Sequence, residues 1–267
     1  MNTRYDTLEN KNVLIFSFIA VVVIFLIGNI INQEQFPITE DIFMTDVLFI
    51  VTPVMVIGLG AILVLRYGIK GNHSIAWILF TLAFASWFAG EMTYSYDQEY
   101  DFEDISTFTS EFFFIAGYPL FLAFTIFYLR PRRKIITKNI ILLSSLVGFL
   151  LVIPTLYLTF DVGDEVLSDI EIFLFAMYPI LDSIILVPAI IAAVLFFRGQ
   201  VNLLWTMVMF GTIFLVLADT SYLVFLVEEN YYPGHPLDIL YIWSYILYAL
   251  GAYSHIKLYK KSESNVS

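Results

Sequence analysis

The chain is predicted to be an all-α integral membrane protein with eight transmembrane helices, and three features of its 267 residues carry that prediction. It is 60% hydrophobic and 14% charged, where soluble domains carry about a quarter charged residues. Eight apolar stretches each reach the roughly 20 residues a helix needs to cross a hydrocarbon core. All 13 Lys and Arg residues fall in alternate connections between those stretches. Cations are retained on the cytoplasmic side during insertion, so both termini are expected inside the cell, with the chain in the plasma membrane.

Span 12–32 follows Arg4 and Lys11 and has no small-x-small cleavage pattern, so it is expected to be a retained anchor. Span 46–66 ends at Arg66, and Lys70 lies in the turn beyond it. Spans 74–96 and 110–130 are joined by the largest polar stretch, 97–109, which opens Asp97-Gln98-Glu99-Tyr100-Asp101-Phe102-Glu103-Asp104. Arg130, Arg132, Arg133, Lys134 and Lys138 then precede span 139–160. This basic run reads as a topology anchor against anionic lipid rather than a nucleic-acid patch. Span 170–197 contains Pro179 and Pro188, each of which removes a backbone donor and favours a bend. Arg198 leads to span 202–227, and span 237–257 runs into Lys257, Lys260 and Lys261. Connections are short, so no soluble domain is expected between spans.

Two halves of the chain echo one another. Trp87-Phe88-Ala89-Gly90-Glu91-Met92-Thr93-Tyr94 precedes Glu111 and, seven residues on, Tyr118. Leu217-Ala218-Asp219-Thr220-Ser221-Tyr222 precedes Asp238 and, at the same spacing, Tyr245. The expectation is two four-span repeats, 1–134 and 135–267. Both enter the membrane from one side, so a pseudo-twofold axis would lie along its normal, as in parallel-repeat transporters.

The formal net charge is −11, and 18 of the 24 acids fall in the predicted outer loops or at outer span ends. Such a face either attracts cations or is a solvated rim. Three acids sit within spans: Glu91, Asp182 and Asp219. No Lys, Arg or His shares their depth, and a lone carboxylate in lipid costs about 3 kcal/mol even by the lower estimates. Each must be neutral, face water or hold a cation. Tyr94 and Tyr222 follow Glu91 and Asp219 by three residues, on the same helical face. Tyr178 precedes Asp182 by four, with Pro179 between them. These six residues form the candidate ligand or cation site, with Glu111, Tyr118, Asp238 and Tyr245 as an outer vestibule. Asp46, Glu111, Glu171 and Asp238 also suit the N-termini of their helices, where the dipole favours a carboxylate. Tyr241 and Trp243 read as interfacial aromatics rather than a cage for a quaternary ammonium.

Several chemistries are excluded. The chain has no Cys, hence no disulfide or thiolate chemistry. No span contains a Lys for a retinal Schiff base. His73, His235 and His255 lie at or beyond span ends, which removes intramembrane haem ligation and a zinc-protease helix. Cofactors are therefore not expected, and the identity of any metal stays open. Asp182 and Asp219 suggest the paired acids of intramembrane aspartyl proteases, but those carry Gly-x-Gly-Asp where this chain has Val216-Leu217-Ala218-Asp219. An enzyme is not expected.

Tyr178-Pro179-Ile180-Leu181-Asp182, Ala218-Asp219-Thr220-Ser221-Tyr222 and Asp238-Ile239-Leu240-Tyr241-Ile242-Trp243-Ser244-Tyr245 resemble motifs of a known group. They are similar to the multi-spanning sensor regions found ahead of GGDEF-type diguanylate cyclase and kinase domains, over residues 74–257. The resemblance implies a signal-sensing membrane region. No cyclase or kinase follows residue 261, so output would pass to a separate signalling protein or membrane partner. The expected function is a membrane-embedded sensory or ligand-binding module for a small cation or small molecule. A cation- or proton-coupled transporter or ion conduit is the alternative.

Overall fold

A computed structural model of the protein describes residues 44–100, 106–166, 169–197, 201–227, 230–231, 235 and 237–264. Among them are seven α-helices and no strand: α1 (Met44–Tyr67), α2 (Asn72–Tyr100), α3 (Ser106–Leu129), α4 (Lys138–Val166), α5 (Asp169–Phe196), α6 (Asn202–Val227) and α7 (Asp238–Ser264). All seven are long and apolar enough to cross a membrane, and they fall on the last seven predicted spans. The first, 12–32, lies outside the described residues. The basic run Arg130–Ile135 forms an exposed 3-10 turn rather than a loop. Helices α2 and α4 continue past the predicted span ends, to Tyr100 and Val166. Beyond the lipid nothing obliges a helix to stop, because water satisfies the backbone there as well.

Helix α1 packs on α2, α2 on α3, α3 on α5, α5 on α6, α6 on α7, and α7 again on α1; α4 lies outside, against α5 and α6. That order explains two extremes of composition. Helix α4 presents a broad apolar face, with Leu142 72% exposed, that no other described helix covers. Helix α7 is the least apolar span and the most buried, since a helix wrapped by protein has no need of an all-round greasy surface.

Both prolines of α5 lie within one continuous helix, as do Pro53, Pro119 and Pro154 in theirs. Close approach between α2 and α3 depends on Gly117. A Cβ there would sit 2.2 Å from Trp87 Nε1. The indole of Trp87 donates to the Phe114 carbonyl at 3.0 Å, and Ser86 donates to the Phe113 carbonyl at 2.7 Å. Interhelical hydrogen bonds over small residues are how membrane helices associate where the hydrophobic effect gives no drive.

The two ends of the bundle differ in charge. Arg66, Lys70, the 130–138 cations and Lys257 gather at one end, and Glu111 and Asp238 at the other. At the basic end, buried His255 is a structural residue. Its Nε2 meets the Tyr67 hydroxyl at 2.9 Å and its ring packs 5.2 Å from that of Trp77. Between the ends lies an aromatic core: Trp77, Phe80, Phe84, Phe121, Phe124, Trp205 and Tyr248, all fully buried.

Candidate functional site

Five helices bring polar groups together on the acidic side of that core. Tyr118 of α3 is the hub. Its hydroxyl lies 3.0 Å from Asp182 Oδ1 on α5 and 3.0 Å from Asp219 Oδ2 on α6. Tyr241 of α7 donates to the other oxygen, Asp219 Oδ1, at 2.7 Å. Asp182 is 1% exposed, and its Oδ2 is buried with no hydrogen-bond partner.

A phenol carries a single proton. Tyr118 can donate to one carboxylate only, and its second contact becomes a hydrogen bond when the other carboxyl contributes a proton of its own. The pair is thus organised around shared protons or an added positive charge. The Asp182 and Asp219 carboxyls lie within hydrogen-bonding reach of each other, so a proton on one of them satisfies the pair, and without it a buried unsatisfied polar group costs about 1–3 kcal/mol.

The remaining predicted residues surround this centre. Tyr178 of α5 donates to Glu111 Oε2 of α3, and its ring lies 6.2 Å from that of Tyr118. Tyr94 and Tyr222 approach one another across α2 and α6, hydroxyl to hydroxyl at 3.4 Å. Glu91 lies within electrostatic range of both Asp219 and Asp238, and Tyr245 within range of Glu91 and Asp219. Tyr231, in the connection before α7, donates to Asp238 Oδ1 at 3.1 Å, and its ring lies 4.7 Å from that of Tyr222. The six residues predicted as the site and the four predicted as its vestibule therefore form one neighbourhood, with no layer of separation between them.

Two expectations need correction. Tyr241 and Trp243 are not interfacial aromatics. Tyr241 hydrogen-bonds Asp219, and Trp243 is buried with its ring 5.2 Å from Phe214. The signal for Tyr241 was its place three residues after Asp238 and four before Tyr245, on the face those two share. Glu111, too, is not a helix-terminal carboxylate. Helix α3 starts at Ser106, which puts Glu111 beyond the first turn, and its oxygen is taken by Tyr178. Asp238 does open α7. The side chains of Asp46 and Glu171 lie outside the described residues.

Among the described residues no three His, Cys, Asp or Glu side chains are grouped as ligands for a metal ion. Toward the basic end, the route from Tyr118 is closed by rings. Phe84 packs 6.0 Å from Phe121 and 4.8 Å from Tyr248, and Phe124 stacks on Trp205 at 5.6 Å. Comparison of the chain with family models, with curated proteins and with solved structures returns no match.

Proposed function

We propose that the chain is a membrane-embedded sensory or ligand-binding module, in which the Tyr118–Asp182–Asp219–Tyr241 network takes up a proton or a small cation. The observation that carries this reading is the single Tyr118 hydroxyl set 3.0 Å from two carboxyls. One added positive charge satisfies both acids, and its loss leaves two like charges in a low-dielectric interior. Because the network ties α3, α5, α6 and α7 together, gain or loss of that charge biases how those helices pack.

The adjacency of the helices supports two related halves, 1–134 and 135–267. Pairing α1 with α5, α2 with α6 and α3 with α7 turns the contact of α1 with α7 into that of α5 with α3, and the contact of α1 with α2 into that of α5 with α6. In this arrangement the basic end is cytoplasmic in the plasma membrane, and the site opens toward the outer face.

Transport is less well supported, because fully buried rings occupy the path from Asp182 to the basic end. Thermal unfolding of the purified full chain, in sodium, potassium and calcium chlorides and over a pH series, tests the proposal. The wild-type melting temperature is expected to respond to at least one of these cations or to protons. Asp182→Asn and Asp219→Asn should remove that response. No response in the wild type, or the same response in both variants, rejects the site. Flux in proteoliposomes that disappears in Asp182→Asn would favour transport instead.

A further inference from the structure

A cleft of about 440 Å³ opens between α3 and α5, within the roughly 300–1,000 Å³ range of small-molecule sites. It runs along α3 from Glu111 to Leu122, roughly 16 Å at 1.5 Å per residue. Apolar side chains flank its mouth: Phe112 on one wall is 63% exposed and Ile184 on the other 43% exposed. The walls are apolar apart from Glu111 and Tyr118.

The polar groups in this cleft are acceptors. Tyr178 occupies Glu111 Oε2, and Oε1 has no hydrogen-bond partner among the described residues. The Tyr118 hydroxyl is engaged by the two aspartates. Pro119 has no N–H, so the Ile115 carbonyl lacks its usual partner four residues on, and Pro188 does the same to Ile184. Ile115 and Ile184 both line the cleft. A space with greasy walls and one carboxyl near its acidic end calls for a ligand that donates a hydrogen bond, carries positive charge and has an apolar body.

We propose that this cleft binds a single-chain amphiphile with a primary ammonium head, entering sideways from the bilayer. The ammonium sits at Glu111 Oε1 and the chain runs down between α3 and α5 toward Ile184. An N–H donor of the head meets Glu111 Oε1, and the charge meets the carboxylate. A quaternary head lacks the donors and an alcohol lacks the charge. This inference rests on the preceding reading only for the link from binding to response. Tyr118 lines the cleft on one side and holds Asp182 and Asp219 on the other, so a filled cleft and an occupied acid pair share a wall.

The test is photolabelling of the full chain in phosphatidylcholine proteoliposomes with an alkylamine carrying a diazirine in its tail. Label is expected in 111–122 and 174–184. Dodecylamine should compete at a concentration roughly tenfold below that of dodecanol or dodecyltrimethylammonium. Glu111→Gln should weaken labelling by roughly tenfold, and Ala116→Leu, which fills the cleft, should abolish it. Should Glu111→Gln fail to fold, Ala116→Leu and the competitor series still decide the matter. Label spread over all helices, equal competition by the three amphiphiles, or labelling that survives Ala116→Leu overturns the proposal. If labelling fails while Asp182→Asn still removes the cation response, the cleft is refuted and the acid site stands. Specific labelling of a wild type that ignores protons and inorganic cations refutes the acid site and supports the cleft.

Discussion

Replacing Tyr118 by Phe removes the one oxygen that touches two carboxyls, which sequence places 37 residues apart. Asp182 then keeps only the neighbouring Asp219 carboxyl, while Asp219 also keeps Tyr241. Tyr118→Phe is expected to destabilise by about 1–3 kcal/mol. Tyr241→Phe leaves every carboxyl with one contact and should cost about 1 kcal/mol. Unfolding of the two variants in detergent should preserve that order; a larger loss for Tyr241→Phe would place the centre of the network elsewhere. Glu91, Asp182 and Asp219 stand out in the sequence, because a charge inside an apolar run has few tolerable fates. The bond from Tyr118 to Asp182 was not readable. It joins helices whose facing sides depend on rotation about their axes, and nothing in α3 fixes its rotation without the partner. Tyr241 was hidden for another reason: aromatic residues near a span end usually mark the interface, and that general expectation outweighed the spacing shared with Asp238 and Tyr245.

At the scale of the elements, the positions of the seven described helices followed directly from hydropathy, and only the ends moved. Lipid dictates where a helix must be apolar, but not where it stops. What holds the helices at working distance is finer than hydropathy. Gly117 admits the Trp87 indole, and a methyl there would meet rigid ring atoms. Gly117→Ala is expected to cost about 1–3 kcal/mol through overpacking. Gly58 of α1 has open space where its Cβ would go, so Gly58→Ala should be neutral or add about 0.5–1 kcal/mol from reduced backbone freedom. Melting temperatures of the two variants, moving apart in this way, would check the α2–α3 contact. Equal shifts would show that it is looser than described.

For the whole molecule, the separation of cations from acids gives the bundle a direction. The chain contains no Cys, so single cysteines report sidedness without background. Lys134→Cys is expected to react with an impermeant maleimide only after cells are opened, and Ser95→Cys from outside intact cells. The opposite pattern would invert the orientation and turn the acid site toward the cytoplasm. The order of helix contacts could not be drawn from sequence, because similar motifs in two segments do not show how those segments meet. The most direct measurement is a double-mutant cycle on unfolding free energy between Tyr118→Phe and Asp219→Asn. One shared hydrogen-bonded unit predicts a coupling of about 0.5–3 kcal/mol, whereas effects that add to within about 0.3–0.5 kcal/mol would mean the two residues are independent and no common site exists.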